Sequence, residues 1–246
     1  MRKRIISPMQ WPVVHGGSAP IDVRLFDMID PFLRHWSLAH WELENLALFN
    51  QATYYNVAER DKNLDLAVGN LKDWQRPASD ADDDEIEAFN LAMSRHQNAI
   101  IAGDMEMEAI SRYADEVTII ATWAFAEKYL NAGLTTMRTL LNLPPANSHR
   151  WPDIASSYAE CGVVLSTLDS FADADECRRL NNAIKHSGKV DGGLTQFAFF
   201  AGKQGSTLND LVLETQRYYF GVADFVGATF EHCSNMIRAG NAGVQP

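Results

Sequence analysis

The chain has 246 residues, 46% of them hydrophobic and 22% charged, with 32 acidic against 21 basic side chains and a formal net charge of -11. This composition excludes global disorder and leaves room for one large domain, or a domain with an appended segment. The acidic balance disfavours loose, charge-driven attraction to nucleic acid, which needs Lys and Arg to neutralise phosphates, so nucleic-acid chemistry would need a local basic site. No apolar run approaches the roughly 20 residues of a membrane-spanning helix.

Residues 1 to 20 carry Pro8, Pro12, Gly16, Gly17 and Pro20 and read as an irregular arm. Its start, MRKRIISPMQWP, is basic but is followed by no apolar stretch. No secretory signal is therefore expected, and the cytoplasm is the expected compartment. Asp30-Pro31 reads as a helix start, because Asp caps and Pro suits the first turn. From Phe32 to about Leu71 apolar residues recur at three- and four-residue steps, among them Leu38, Trp41, Leu46 and Phe49, which predicts an amphipathic helix or a broken pair. The chain turns at Arg76-Pro77.

SDADDDEIEAF, residues 79 to 89, places carboxylates ahead of the next periodic segment, where they complement a helix dipole. Glu85 stands where a calcium loop needs glycine, so an EF-hand is a poor match. A second helical stretch is predicted from about Glu85 to Leu143, with a break near Ala102-Gly103. Its segment VTIIATWAFAEKYLNAGL is apolar on nearly all sides and predicts the central buried helix, which Pro144-Pro145 ends. Another helix is predicted from about Pro152 to Lys185, with a possible interruption at Phe171-Ala172-Asp173. The glycine-rich region 188 to 205, with its run LTQFAFFAG, reads as a loop holding one short strand. Ser206 reads as the cap of a final helix from Thr207 to about Ile237, and AGNAGVQP as a fraying tail. An all-α helical bundle is expected.

Cys161, Cys177 and Cys233 are widely spaced, without CxxC or a neighbouring ligand histidine, and read as reduced, packed thiols. His35 and His40 stand about 140° apart on a helix and cannot easily share an ion. No histidine follows a glutamate by three, so a di-metal carboxylate bundle lacks its signature. GKQGST at 202 to 207 has the residue types of a phosphate loop in the wrong order.

RRLNNAIKHSG, residues 178 to 188, stands apart. At 100° per residue from Arg179, Asn182 lies at about -60° and His186 at about -20°, whereas Cys177, Leu180 and Ile184 fall between about 100° and 160°. One face can pack while Arg179, Asn182 and His186 point together, with Arg178, Lys185 and Lys189 adding positive charge. A cationic helix end favoured by the dipole accounts for such a cluster. So does phosphodiester chemistry. Histidine moves protons near neutral pH, guanidinium grips phosphate oxygens, and an amide orients the hydroxyl or the phosphate.

This stretch resembles the signature of HEPN domains (higher eukaryotes and prokaryotes nucleotide-binding), all-α modules marked by Arg, four to six residues, then His. Here LNNAIK separates Arg179 from His186. IIATWAFAEKYLNAGL resembles the glutamate-bearing helix that precedes the motif in several such families. The likeness covers about residues 85 to 237. It divides the chain into an arm and helical extension at 1–77, an HEPN-like domain at 78–237 and a flexible tail at 238–246. Leu180 departs from the polar residue often found after the arginine. Gly188 stands where one toxin subgroup has tyrosine, so control through that tyrosine is not expected.

The resemblance implies a metal-independent, cofactor-free endoribonuclease in which the RNA 2′-hydroxyl attacks and a cyclic phosphate is left. It implies His186 as general acid or base, Arg179 as phosphate ligand and Asn182 as orienting group. RNA contacts would come from Arg178, Asn181, Lys185 and Lys189. A homodimer with a composite cleft, a toxin or antiviral role, and an antitoxin or regulatory partner are further implications. A non-catalytic HEPN-like module that binds RNA, nucleotide or protein, and a helical interaction protein using the tryptophan-rich segment 36 to 41, are the competing readings.

Overall fold

The computed structural model describes residues 30–72, 74–78, 80–146 and 150–242. The N-terminal arm of residues 1 to 20 and the last four residues of the tail lie outside them. About 78% of the described residues are helical. Among the described residues there are five α-helices, α1 Pro31–Lys72, α2 Asp83–Leu140, α3 Trp151–Glu160, α4 Phe171–His186 and α5 Thr215–Ala242. The fold is an all-α bundle, and no strand occurs among the described residues.

The helix starts follow from their caps. Asp30 accepts the Phe32 N–H at 2.9 Å through Oδ1, and Pro31 takes the first helical position. The other oxygen of Asp30 receives the Ser234 hydroxyl and, at 2.9 Å, Arg238 Nη2, so one buried carboxylate both starts α1 and holds it to α5. Asp82 accepts the Glu85 N–H at 2.8 Å, and Asp83, Asp84 and Glu85 fill the first turn of α2. The acidic run thus serves a helix start.

Several boundaries differ from the sequence expectation. α2 continues through Ala102-Gly103 without a break. A Cβ at Gly103 would stand 3.3 Å from Leu64 Cδ1, so the glycine accommodates a close neighbour instead of ending the helix. The helix expected over 152 to 185 is two helices separated by 161–170, where Gly162 takes φ +87 and Leu165–Thr167 forms a 3-10 turn. LTQFAFFAG forms no strand. It folds as a loop with a 3-10 turn at Ala198–Phe200 and sinks Leu194 and Phe200 into the core. The last helix begins at Thr215 and not Thr207, because a 3-10 turn at Leu208–Asp210 intervenes.

The chain forms two compact units, Phe49–Asp115 and a larger one whose described residues are 30–48 and 116–242, and residue 77 lies in the connection between α1 and α2. In the first unit Val57, Met107 and Ala114 are buried, Tyr54 donates to Asp115 at 2.8 Å, and Arg60 pairs with Glu106 at 3.1 Å. The larger unit holds the main core. Ile119, Trp123, Leu130, Leu134 and Met137 of α2 pack with Ile154 and Tyr158 of α3, Cys177 and Leu180 of α4, and Val222, Phe225 and Phe230 of α5. The segment read as the central buried helix supplies Ile119, Trp123, Leu130 and Leu134 of the first group, and Met137 follows it on the same helix.

Candidate functional site

α4 carries the candidate residues, and its two faces have opposite roles. Ala174, Glu176, Cys177, Leu180, Asn181 and Ala183 are buried. Arg179 is half-buried, whereas Asn182, Lys185, His186 and Lys189 are exposed. Because α4 is unbroken from Phe171 to His186, the 100° step applies throughout and places Arg179, Asn182 and His186 on one solvent-facing side. The helix stops directly after His186. Gly188, at φ 62, donates its N–H to Ala183 O at 2.8 Å, a glycine-dependent C-terminal closure.

Asp175 organises the arginines. Its Oδ1 accepts Arg178 Nε at 2.9 Å and Nη2 at 2.6 Å, and its Oδ2 accepts Arg179 Nε at 2.9 Å. Arg178 is thereby largely spent, with its guanidinium over the Trp151 ring at 5.7 Å and its side chain 16% exposed. Arg179 differs, because only Nε is hydrogen-bonded and both Nη nitrogens keep their donors. Asp175 stands at about -40° on the same helical scale, in line with Arg179 and His186. That alignment was present in the sequence, one turn before Arg179, and reasoning from the positive residues alone passed over it.

Asn181, expected to contact RNA, is a correction: it is 2% exposed and faces inward beside Cys177. Its Nδ2 donates to Asn182 Oδ1 at 3.4 Å, and its own Oδ1 is buried without a partner. The Asn181 amide thus lies on the core side of α4 and meets the exposed face only through its bond to Asn182.

The loop after α4 closes beside the site. Leu208 N–H donates to Gly188 O at 2.8 Å and Val190 N–H to Ser206 O at 2.9 Å, so the two ends of the loop meet. A Cβ at Gly193 would stand 3.1 Å from Arg179 Nη1 and 3.2 Å from Asp191 Oδ1, so the loop backbone passes close to the guanidinium and a side chain here would make Arg179 shift. Phe197 lies 5.9 Å below that guanidinium and completes its flank.

Behind the site, α4 is locked to α5 through Arg217. Its Nη2 donates to Glu176 at 2.8 Å, its Nε to Glu214 at 2.8 Å and its Nη1 to Asp173. Tyr218 donates its hydroxyl to the same Glu176 oxygen at 2.8 Å. Burial pushes the thiols of Cys177 and Cys233 up, that of Cys233 to about 12, so neither is a thiolate nucleophile near neutral pH. All three cysteines are free and buried. Among the described residues, no group of three or more His, Cys, Asp or Glu is arranged to hold a metal ion, and no helix is long and apolar enough to cross a membrane.

Comparison of the chain with protein-family models, with curated proteins and with solved structures yields no match.

Proposed function

We propose that the chain is a metal-independent endoribonuclease of the HEPN type, acting in the cytoplasm as a toxin or defence effector. One observation carries the reading. On a single unbroken helix, Arg179 keeps both Nη groups free and shares an exposed face with Asn182 and His186.

The chemistry follows from those groups. The RNA 2′-hydroxyl attacks the adjacent phosphorus, the bond to the 5′-oxygen breaks, and a 2′,3′-cyclic phosphate and a 5′-hydroxyl result. His186 takes the proton from the 2′-hydroxyl or gives one to the departing oxygen. Arg179 holds the non-bridging oxygens as their charge rises, with Asp175 fixing its plane through Nε. Asn182 orients the reacting groups. Each copy of the motif supplies one histidine, so a homodimer that opposes two motifs would provide both acid and base. An antitoxin or regulatory protein is the further partner proposed.

A non-catalytic RNA- or nucleotide-binding module is the second reading, favoured by Asp175, whose single negative charge is shared by Arg178 and Arg179 and cancels half of the positive charge they bring. End-labelled RNA incubated with purified protein in EDTA separates the two. Cleavage supports the nuclease, and intact RNA that is nevertheless bound favours the module.

A further inference from the structure

A polar hollow of about 370 Å³ opens between the end of α2, the Pro145-Ala146 turn and the outer face of α3. Among the described residues, Arg138, Arg150, Asp153, Ser156, Ser157 and Glu160 supply its polar lining, and Pro145 and Ala146 its apolar members. The size falls in the range of small-ligand sites. Arg138 is the decisive residue, because it is a charged side chain with only 7% exposure. Its Nε donates to Pro144 O and its Nη1 donates to Glu160 at 2.7 Å. A guanidinium has five N–H donors. These two contacts leave donors for a ligand on a group that the fold holds at the wall of the hollow.

The hydroxyls of Ser156 and Ser157 lie one helical step apart on α3 and make no hydrogen bond within the described residues. Both are donors as well as acceptors. A planar guanidinium with two adjacent hydroxyls supplies more donors than the two oxygens of a carboxylate use, and suits the three terminal oxygens of a phosphate monoester. Glu160 holds Arg138 through Oε2 with its side chain 58% exposed, and Asp153 accepts Arg150 Nε at 3.0 Å through Oδ2, so each carboxylate is anchored by an arginine at the edge of the hollow and has lone pairs beyond that bond. Both are acceptors suited to the hydroxyl groups of a polyol. Among the described residues that line the hollow none is aromatic, so that part of the lining offers no ring to stack on a nucleobase.

We propose that this hollow binds a small sugar phosphate, its phosphate on Arg138, Ser156 and Ser157 and its hydroxyls on Asp153 and Glu160. The proposal is independent of the ribonuclease reading, since none of these residues belongs to the α4 site.

Isothermal titration calorimetry of the full chain tests it, with ribose 5-phosphate, inorganic phosphate and ribose as probes at constant ionic strength. Saturable binding of ribose 5-phosphate, tighter than that of inorganic phosphate, is expected. The Ser156→Ala/Ser157→Ala variant removes two surface hydroxyls without touching the Arg138 contacts, and is expected to weaken binding by about tenfold or more, the weight of hydrogen bonds to a charged group. Arg138→Lys, which keeps the charge and loses the planar fork, should weaken it as well. Absence of binding, equal binding of inorganic phosphate, or unchanged affinity in the serine variant overturns the proposal.

Discussion

Replacing Glu176 tests whether the charged contacts between α4 and α5 hold the site helix in place. The carboxylate is 4% exposed and receives two hydrogen bonds on one oxygen, from Arg217 and Tyr218. In Glu176→Ala, Arg217 is not orphaned, because Asp173 and Glu214 remain and its side chain is 33% exposed. The Tyr218 hydroxyl, on a residue with 0% exposure, loses its acceptor. An unsatisfied buried hydroxyl costs about 1–3 kcal/mol, and a lost hydrogen bond to a partly exposed charge adds about 1 kcal/mol. A total near 3 kcal/mol is expected. Glu176→Gln keeps an acceptor for both donors and loses only the charge, so about 1 kcal/mol is expected. Urea denaturation followed by tryptophan fluorescence reads both values, and amide exchange in α4 reports whether the loss is local. Equal costs for the two variants, or a cost under about 0.5 kcal/mol for alanine, would refute the reasoning.

Gly133→Ala should destabilise by about 1–2 kcal/mol, since a Cβ would stand 2.3 Å from Phe230 Cε1 and overpacking outweighs the gain in helix propensity; thermal unfolding of the two proteins checks it. Burial, with Arg34 nearby, lowers the His35 pKa from 6.5, so protonation opposes folding. The stability contributed by neutral His35 is present above pH 6.5 and is lost as pH falls through the lowered folded-state value, a slope that His35→Gln should reduce in denaturation series across that window.

Much of the architecture was legible because local signals agreed with the fold. Asp30-Pro31 predicts a helix start and caps one, and the apolar run around Trp123 and Leu130 lies in the core. The misreadings have tertiary causes. Gly103 carries the usual signal of a break, but its missing side chain makes room for Leu64. LTQFAFFAG has the length and apolarity of a strand, yet no strand stands beside it among the described residues, and its buried residues anchor a loop. The gap between α3 and α4 has Gly162 as its main local mark, and a Cβ there would meet the Met236 side chain at 2.8 Å, a contact from a distant part of the chain.

The site divides in the same way. Helical periodicity alone sets Arg179, Asn182 and His186 on one face. It also places Asn181 at about 200°, beside Cys177, so its burial was readable from the same wheel. Free Nη groups on Arg179, and the loop backbone that passes close to them at Gly193, depend on contacts that only the folded chain displays.

The most direct test of the ribonuclease account is an RNA cleavage time course in EDTA, comparing wild type with Arg179→Ala and His186→Ala and identifying the product ends. The account predicts 2′,3′-cyclic phosphate ends from wild type, and a rate lower by about 10²-fold or more in each variant, the usual weight of a lost general acid or base or of a transition-state charge contact. Cleavage that persists in both variants, or that requires a divalent metal, would contradict it.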